Sequence, residues 1–320
     1  MNVYLTFDVE IWCNGWKDLD LQFPSSFQRY VYGQSRYGDY ALPKTLEILD
    51  QHNLKGVFFV EPLFAARFGI DYLRRITDLI SKGGHDIQLH LHPEWTDEIR
   101  PLIFPGAVKK RQHMFHYLLE EQVELIKLGI NLLRQAGVSS VNAFRAGSFA
   151  VNADSYKALA QCGIRIDSSL NYCHFESGVD LRGTVSFLEP SRIEGIEVLP
   201  ITVFQDGFKK LRPAQIGACS FMELQSALES AVQSGVEHFV IVSHNFEMLR
   251  QRGSEPDRIV AARFEKLCRY LDGNRSHYDV SSLKISNEVF SQAHASCVPK
   301  SATLPTLKRH IEQVVRRMYG

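Results

Sequence analysis

The first residues of the chain that could take part in chemistry are two acidic side chains at the end of a strand-like run. Because side chains alternate between the faces of a strand, Asp8 and Glu10 point to the same side. Carboxylates in this position serve as general bases or as ligands of a divalent ion. Since strands that leave a protein core often turn acidic, the pair is only a moderate signal by itself.

A stronger pattern lies in residues 86–92, where apolar and polar side chains alternate. The alternation predicts that His90 and His92 share one strand face, and Pro93 then ends the strand before Glu94. Imidazole and carboxylate groups are the ligands that a borderline metal such as zinc accepts. The sequence therefore predicts a metal site with His90 and either His92 or Glu94. The alternative is a pair of histidines that hydrogen-bond in a polar pocket.

Three more polar residues follow predicted strands. Arg145 requires a carboxylate or a ligand as partner, Asp167 is in most proteins a cap or turn residue, and a single histidine such as His244 is more often structural than catalytic. In all, five predicted strands deliver polar groups at their carboxyl ends. In a parallel barrel these ends form the catalytic face, so their accumulation favours an active site.

Strand-like and helix-like segments alternate along the chain, which is typical of parallel strands joined by crossover helices. The predicted strands are 3–8, 56–60, 86–92, 141–145, 164–167, 196–201, 238–243 and 278–283. The predicted helices are 43–52, 71–82, 117–136, 153–162, 222–234 and 257–272. This pattern predicts a single barrel-like domain over 1–285 and a tail over 286–320, although layers around an open sheet would give the same pattern.

Two segments differ from this alternation. Residues 11–40 are long and rich in aromatic side chains, so they predict a loop that either forms a wall for a sugar ring or covers one end of the core. Residues 301–320 predict a short amphipathic helix with an apolar stripe that includes Leu307, Ile311 and Val314. We expect this helix to pack or to form a homodimer, with contact to a membrane surface as the second alternative.

The composition excludes several classes of function. The chain has 36 basic and 36 acidic residues, so it lacks the basic excess of a nucleic-acid-binding protein. It shows neither a signal-peptide pattern nor an apolar run long enough to span a membrane, which predicts a cytoplasmic protein. The six cysteines include no CxxC pair and are expected to be reduced packing residues.

Taken in chain order, the polar motifs resemble those of the polysaccharide deacetylase family, also called the NodB-homology family. The matching segments are 6–10, 84–94, 144–147, 167–169 and 240–244. The resemblance implies an α/β fold, a distorted (β/α) barrel of the polysaccharide deacetylase type, with one divalent ion, commonly zinc. The run Leu-His-Leu-His-Pro followed by Glu-Trp looks like a subgroup associated with surface-polysaccharide biosynthesis.

The resemblance also implies roles for individual residues. Asp8 matches the catalytic base of the family, and Arg145 matches the arginine that orients this base. Asp167 matches the acid that braces the arginine, and His244 matches the histidine that acts as general acid.

The metal ligands match less completely. His90 corresponds to the first metal histidine, but Val9 stands where many members carry the metal aspartate and Glu94 stands where the second histidine is expected. Glu10 replaces the first of these ligands in this interpretation, and either His92 or Glu94 replaces the second.

The predicted function is a metal-dependent N-deacetylase that acts on an N-acetylated amino sugar or glycan precursor. One alternative is a hydrolase of a non-sugar amide on the same fold. The other is a carbohydrate-binding relative without catalytic activity, in which Val9 and Glu94 mark a lost metal site.

Overall fold

The computed structural model describes residues 1–104, 109–250, 255–283 and 298–319. Its strands are β1 (Asn2–Val9), β2 (Gln34–Ser35), β3 (Gly38–Asp39), β4 (Gly56–Val60), β5 (Asp86–Leu91), β6 (Ala143–Ala146), β7 (Ile166–Asp167), β8 (Ser191–Ile193), β9 (Ile196–Val198), β10 (Val203–Gln205), β11 (Leu211–Pro213), β12 (His238–His244) and β13 (Asp279–Val280). Its α-helices are α1 (Leu19–Phe27), α2 (Leu42–Gln51), α3 (Ala65–Phe68), α4 (Ile70–Lys82), α5 (Leu119–Gln135), α6 (Ala153–Gln161), α7 (Phe221–Gln233), α8 (Arg258–Gly273) and α9 (Thr303–Tyr319).

The contacts within the chain divide it into two compact units. The first unit contains Met1–Gly56, Val203–Ser282 and residues 298–319, and the second contains Val57–Thr202 with Leu283. Both units combine strands with helices, as the alternating pattern of the sequence predicts.

In the first unit, β1 pairs in parallel with β12 and with β13. The register places Asp8 beside His244, so an acid and a histidine that are far apart in sequence reach the same level of two adjacent strands. Helix α7 begins at a capping box in which Ser220 and Glu223 each accept the other's backbone N–H. Two antiparallel hairpins, β2–β3 and β10–β11, complete the unit's strands among the described residues.

In the second unit, β4, β5, β6, β7 and β9 pair in parallel in this order, and β8 joins β9 antiparallel. Helix α5 lies close to β5 because Gly129 has no side chain. A Cβ atom at that position would lie 2.8 Å from the Leu89 side chain. Strand β4 is fully buried, as its continuous apolar run predicts, and β5 is almost entirely buried although its side chains alternate between apolar and polar.

All eight predicted strands and all six predicted helices are present, with ends that differ by a few residues. The prediction of an irregular loop over 11–40 was wrong where α1 forms. Pro24 lies inside that helix and ordinarily argues against one, but Phe23 and Phe27 are fully buried and outweigh it. The strands β8, β10 and β11 were missed because each has three residues, too few for a clear alternation.

The amphipathic tail helix is present as α9 and belongs to the first unit. The predicted apolar stripe, Leu307, Ile311, Val314 and Met318, is exposed, so the helix packs on its unit through other side chains, and the homodimer stays a prediction. The division into a barrel and a separate tail stays a prediction. Of the cysteines, Cys13, Cys219 and Cys268 are buried, whereas Cys297 lies outside the described residues.

Candidate active site

The first unit brings together three of the predicted site residues, Asp8, Glu10 and His244. One ligand atom from each lies within 4.8 Å of the other two. Asp8 and Glu10 are buried, which is unusual for carboxylates without a partner or an ion. Two carboxylates and an imidazole at this spacing can exchange a proton or share a cation.

The His244 ring is oriented by Glu247, a residue that the sequence analysis did not single out. The imidazole Nδ1 lies 3.0 Å from Glu247 Oε1 and donates to this carboxylate, whereas Nε2 lies 3.9 Å from Glu10 Oε1. Burial alone lowers the pKa of His244, but the hydrogen bond to Glu247 and the charges of Glu10 and Asp8 raise it to about 9. In the absence of a cation, the ring is therefore protonated on both nitrogens at neutral pH.

Glu247 is itself held by several donors. Gly217 N donates to Oε2 at 2.6 Å and the Ser243 hydroxyl donates to the same atom at 3.0 Å. Burial would raise the pKa of the Glu247 carboxyl, but its hydrogen bonds, first that from His244, lower it. Gly217 is required here because a Cβ atom would lie 2.5 Å from Glu247 Oε2.

Glu10 is fixed from two sides. The Trp12 indole Nε1 donates to Glu10 Oε2 at 2.7 Å, and the backbone N–H of Glu10 donates to Asn245 Oδ1 at 3.1 Å. Asn245 directly follows His244, so the loop that orients the histidine also holds the backbone of Glu10.

The second unit brings together His90 and His92, whose ring centroids are 4.8 Å apart. His90 Nδ1 lies 2.8 Å from the Arg145 carbonyl oxygen. A carbonyl only accepts, so Nδ1 donates this hydrogen bond. His92 Nδ1 lies 3.0 Å from Glu94 Oε1. A Cβ atom on Gly147 would lie 2.8 Å from the His92 ring, so this glycine leaves room for the imidazole.

The predicted arginine and its acid also lie in the second unit. Arg145 is fully buried, with Nε donating to the Ser168 carbonyl and Nη2 to the Ser168 hydroxyl, both at 2.9 Å. Asp167 accepts from the Tyr156 hydroxyl and from Ser169 N, both at 3.0 Å. Asp167 therefore holds the turn at Ser168 and Ser169, and Ser168 binds Arg145.

A second acid that the sequence analysis missed is Glu61, which directly follows β4. Its carboxylate accepts from the backbone N–H groups of Leu63 and Phe64. Burial raises the pKa of Glu61 to about 8, although the charge of His92 opposes this shift. The sequence does carry a signal for Glu61, because it is an acidic residue directly after an apolar run, the same pattern that identified Glu10.

Three ring side chains form a cluster in the second unit that we call the aromatic rim: Phe175 is exposed, and Phe149 and His174 are partly buried. The His174 and Phe175 rings stack at 5.8 Å with an angle of 5°, and Phe149 packs edge-on to His174 at 5.5 Å. Phe175 is 78% exposed. The backbone of Phe149 has a φ of 57°, a left-handed conformation that is rare for an aromatic residue and typical of functional segments.

No family model and no curated protein sequence matches the chain. The solved structure of a Mycobacterium smegmatis protein described as a polysaccharide deacetylase matches it with a TM-score of 0.56 and 19% identity, covering 98% of this chain and 91% of that chain. The chain has the polysaccharide deacetylase fold.

The deacetylase fold confirms the predicted fold class. A 4-alpha-glucanotransferase from Thermococcus litoralis matches with a TM-score of 0.52 and 11% identity over 87% of this chain and 38% of that chain. A family 4 carbohydrate esterase from Streptomyces lividans, solved in complex with acetate, matches with a TM-score of 0.39 and 14% identity over 93% and 97%. Since a fold does not determine a reaction, the activity must be argued from the side chains.

Proposed function

We propose that this protein is a metal-dependent hydrolase that removes the acetyl group from the nitrogen of an amino sugar in a glycan or surface-polysaccharide precursor. One observation carries the proposal: the buried residues His90 and His92 offer ligand atoms within 4.8 Å of each other, and the hydrogen bond of His90 Nδ1 to the Arg145 carbonyl makes Nε2 the ring nitrogen that a cation would contact. The deacetylase fold and the resemblance of the motifs support the same activity.

The donor set fits one divalent ion. We assign His90 and His92 as ligands, because their ligand atoms lie within 4.8 Å of each other. Glu10 keeps the ligand role that the sequence predicts for it. Glu94 then orients His92 through Nδ1, since metal-binding histidines commonly donate their second N–H to a carboxylate. Two imidazoles and one carboxylate are a ligand set typical of catalytic zinc.

The residues of the chain divide the proton transfers between them. An ion held by these residues would supply Lewis-acid polarisation of the acyl carbonyl. Asp8 takes the proton of the attacking water, and His244 donates the proton on Nε2 to the departing amine while Glu247 holds Nδ1. Arg145 and Asp167 keep their predicted roles, the orientation of the base and the support of that arginine.

The metal assignment is tested by elemental analysis of the purified protein and by acetate release from N-acetylhexosamine derivatives, with and without chelator. We expect near-stoichiometric metal and release that the chelator abolishes. His92→Ala should lose the ion, whereas Glu94→Gln should bind it about 10–100-fold more weakly.

If Glu94→Gln loses the ion and His92→Ala only weakens its binding, Glu94 rather than His92 is the ligand. Absence of both metal and acetate release after zinc, cobalt or nickel is supplied would contradict the hydrolase and favour a carbohydrate-binding protein.

The aromatic rim favours a sugar over a non-sugar amide, because flat exposed rings pack against the apolar faces of pyranoses. Phe175→Ser should raise KM about fivefold and leave kcat unchanged, since a stacking contact contributes on the order of 1 kcal/mol to ground state and transition state alike. Phe208→Ser, at an exposed phenylalanine of the first unit, is the control. An unchanged KM would show that the aromatic rim does not contact the substrate.

A further inference from the structure

Helix α9 places charged side chains against the first unit rather than toward solvent. Arg309 is only 3% exposed, and its Nε donates to Glu223 Oε1 at 2.9 Å. Its Nη2 donates to Asp206 Oδ2 at 3.0 Å. Both carboxylates are buried, so one arginine neutralises two acids inside the protein.

Two further ion pairs bind the next turns of the helix in the same orientation. Arg316 Nε donates to Asp257 Oδ2 at 2.6 Å, and Glu312 accepts from Arg263 Nε at 2.8 Å. The polar side of α9 therefore faces the unit along most of its length, which fixes the rotation of the helix about its axis.

This rotation leaves the apolar side of α9 exposed. The side chains share one face because they follow each other at intervals of three and four residues. Their exposed fractions are Leu304 68%, Leu307 45%, Ile311 60%, Val314 54% and Met318 66%. An amphipathic helix on a globular protein ordinarily buries this face.

The tip of the β10–β11 hairpin extends the apolar face. Asp206 Oδ1 accepts from Phe208 N at 2.9 Å and from Lys210 N at 3.0 Å, so the acid that binds Arg309 also shapes the tip. The Phe208 ring lies 5.7 Å from the His310 ring of α9. Phe208 and Leu211 are exposed apolar residues, and Lys209 and Lys210 between them are exposed as well.

Among the described residues of α9 and the hairpin tip, the exposed charged side chains are all basic. Lys308 and Arg317 are exposed on α9, and the single acidic residue in the sequence of the helix, Glu312, is paired with Arg263. An isologous contact between two copies would bring basic side chains together without acidic residues to pair them. A surface that combines exposed apolar groups with lysine and arginine instead complements an anionic lipid surface.

We propose that α9 and the hairpin tip at residues 208–211 dock the protein on an anionic bilayer, with the helix lying in the plane of the lipid headgroups. Among the described residues, no helix is long and apolar enough to cross a membrane. The inference stands apart from the proposed deacetylase activity, since it uses none of the site residues.

Co-sedimentation of the full chain with vesicles tests the proposal. We expect binding to vesicles of phosphatidylglycerol and phosphatidylcholine, and weak binding to phosphatidylcholine alone. The double substitution Leu307→Ser with Ile311→Ser should reduce binding at least tenfold. Lys308→Gln and Arg317→Gln should each weaken binding to the anionic vesicles about fivefold.

Leu21→Ser is the matched control, because Leu21 is 82% exposed on a different helix of the same unit, and its binding should equal that of the original chain. Circular dichroism checks that each variant is folded. A dimer in light scattering that the double variant dissociates, together with no vesicle binding, would overturn the proposal in favour of a second copy. A monomer that binds neither kind of vesicle would overturn the proposal as well.

Discussion

At the scale of single residues, three histidines share one arrangement. His90, His92 and His244 each have Nδ1 at hydrogen-bond distance from an oxygen, which belongs to the Arg145 carbonyl, Glu94 and Glu247 in turn. The hydrogen bond at Nδ1 fixes the orientation of each ring and makes Nε2 the nitrogen that the proposed chemistry uses.

Gly147 provides a residue-scale test of the His92 assignment. Gly147→Ala places a Cβ atom 2.8 Å from the His92 ring, so we expect the ring to be displaced and metal affinity to fall at least about tenfold. Equilibrium dialysis with zinc measures this affinity. Gly273→Ala is the control, because a Cβ there meets nothing within 4 Å. Equal affinities for the two variants would contradict His92 as a ligand.

Asp167 should make stability depend on pH. Burial raises its pKa from 3.8 to about 6 in the folded chain, so the fold favours the protonated acid. Its contribution to the free energy of unfolding is present below about pH 4 and lost as the pH rises through about 6, a decrease of about 3 kcal/mol. Asp167→Asn should remove this decrease of the free energy of unfolding with pH.

Urea denaturation at a series of pH values measures the effect of Asp167. The exposed-helix substitution Asp154→Asn serves as control, because Asp154 pairs with Lys157 on the surface of α6. If the two variants show the same pH dependence, the acid is ionised in the folded protein throughout this range.

At the scale of elements, the sequence predicted what depends on local pattern. Apolar runs and helical periodicity identify β1, β5 and β12, and strand alternation correctly places His90 and His92 on one face. Alternation gives a face but not a rotamer, so it could not distinguish Glu94 as a ligand from Glu94 as the partner of His92. Glu247 was missed because its role depends on a loop that brings it back to His244.

The rotation of α9 could not be predicted either. A helical pattern shows that the helix has an apolar side, but the side that faces the protein depends on distant residues. Here Asp206 and Glu223, about 100 and 86 positions away from Arg309, decide it. The ion pairs of these two buried acids with Arg309 outweigh the burial of the apolar face of α9, because leaving the charges unpaired inside the protein would cost far more free energy.

Arg309→Met tests this balance. Removal of the arginine leaves Asp206 and Glu223 buried without their cation, so we expect the free energy of unfolding to fall by about 3–5 kcal/mol. Adding Asp206→Asn and Glu223→Gln should restore part of the loss, since neutral side chains tolerate burial better. Arg269→Met, at an exposed ion pair, should change stability by no more than about 0.5 kcal/mol.

At the scale of the whole molecule, the proposed ion links binding to folding. A ligand that binds only the folded chain raises the free energy of unfolding, by about 2.7 kcal/mol at a concentration 100-fold above its Kd. Thermal unfolding with increasing zinc should therefore show a rising midpoint. The midpoint of His92→Ala should not move, and a rise in that variant equal to the original would place the ion elsewhere.

The pairing of β1 with β12 has a consequence for how the protein is made. The two strands lie about 230 residues apart in the chain, and a ribosome that adds about 5–20 residues per second needs roughly 10–50 s to cover that distance. During this time the nearly apolar first strand has left the ribosome while β12 does not yet exist. Asp8 and His244 therefore become neighbours only late in synthesis, after β12 has left the ribosome.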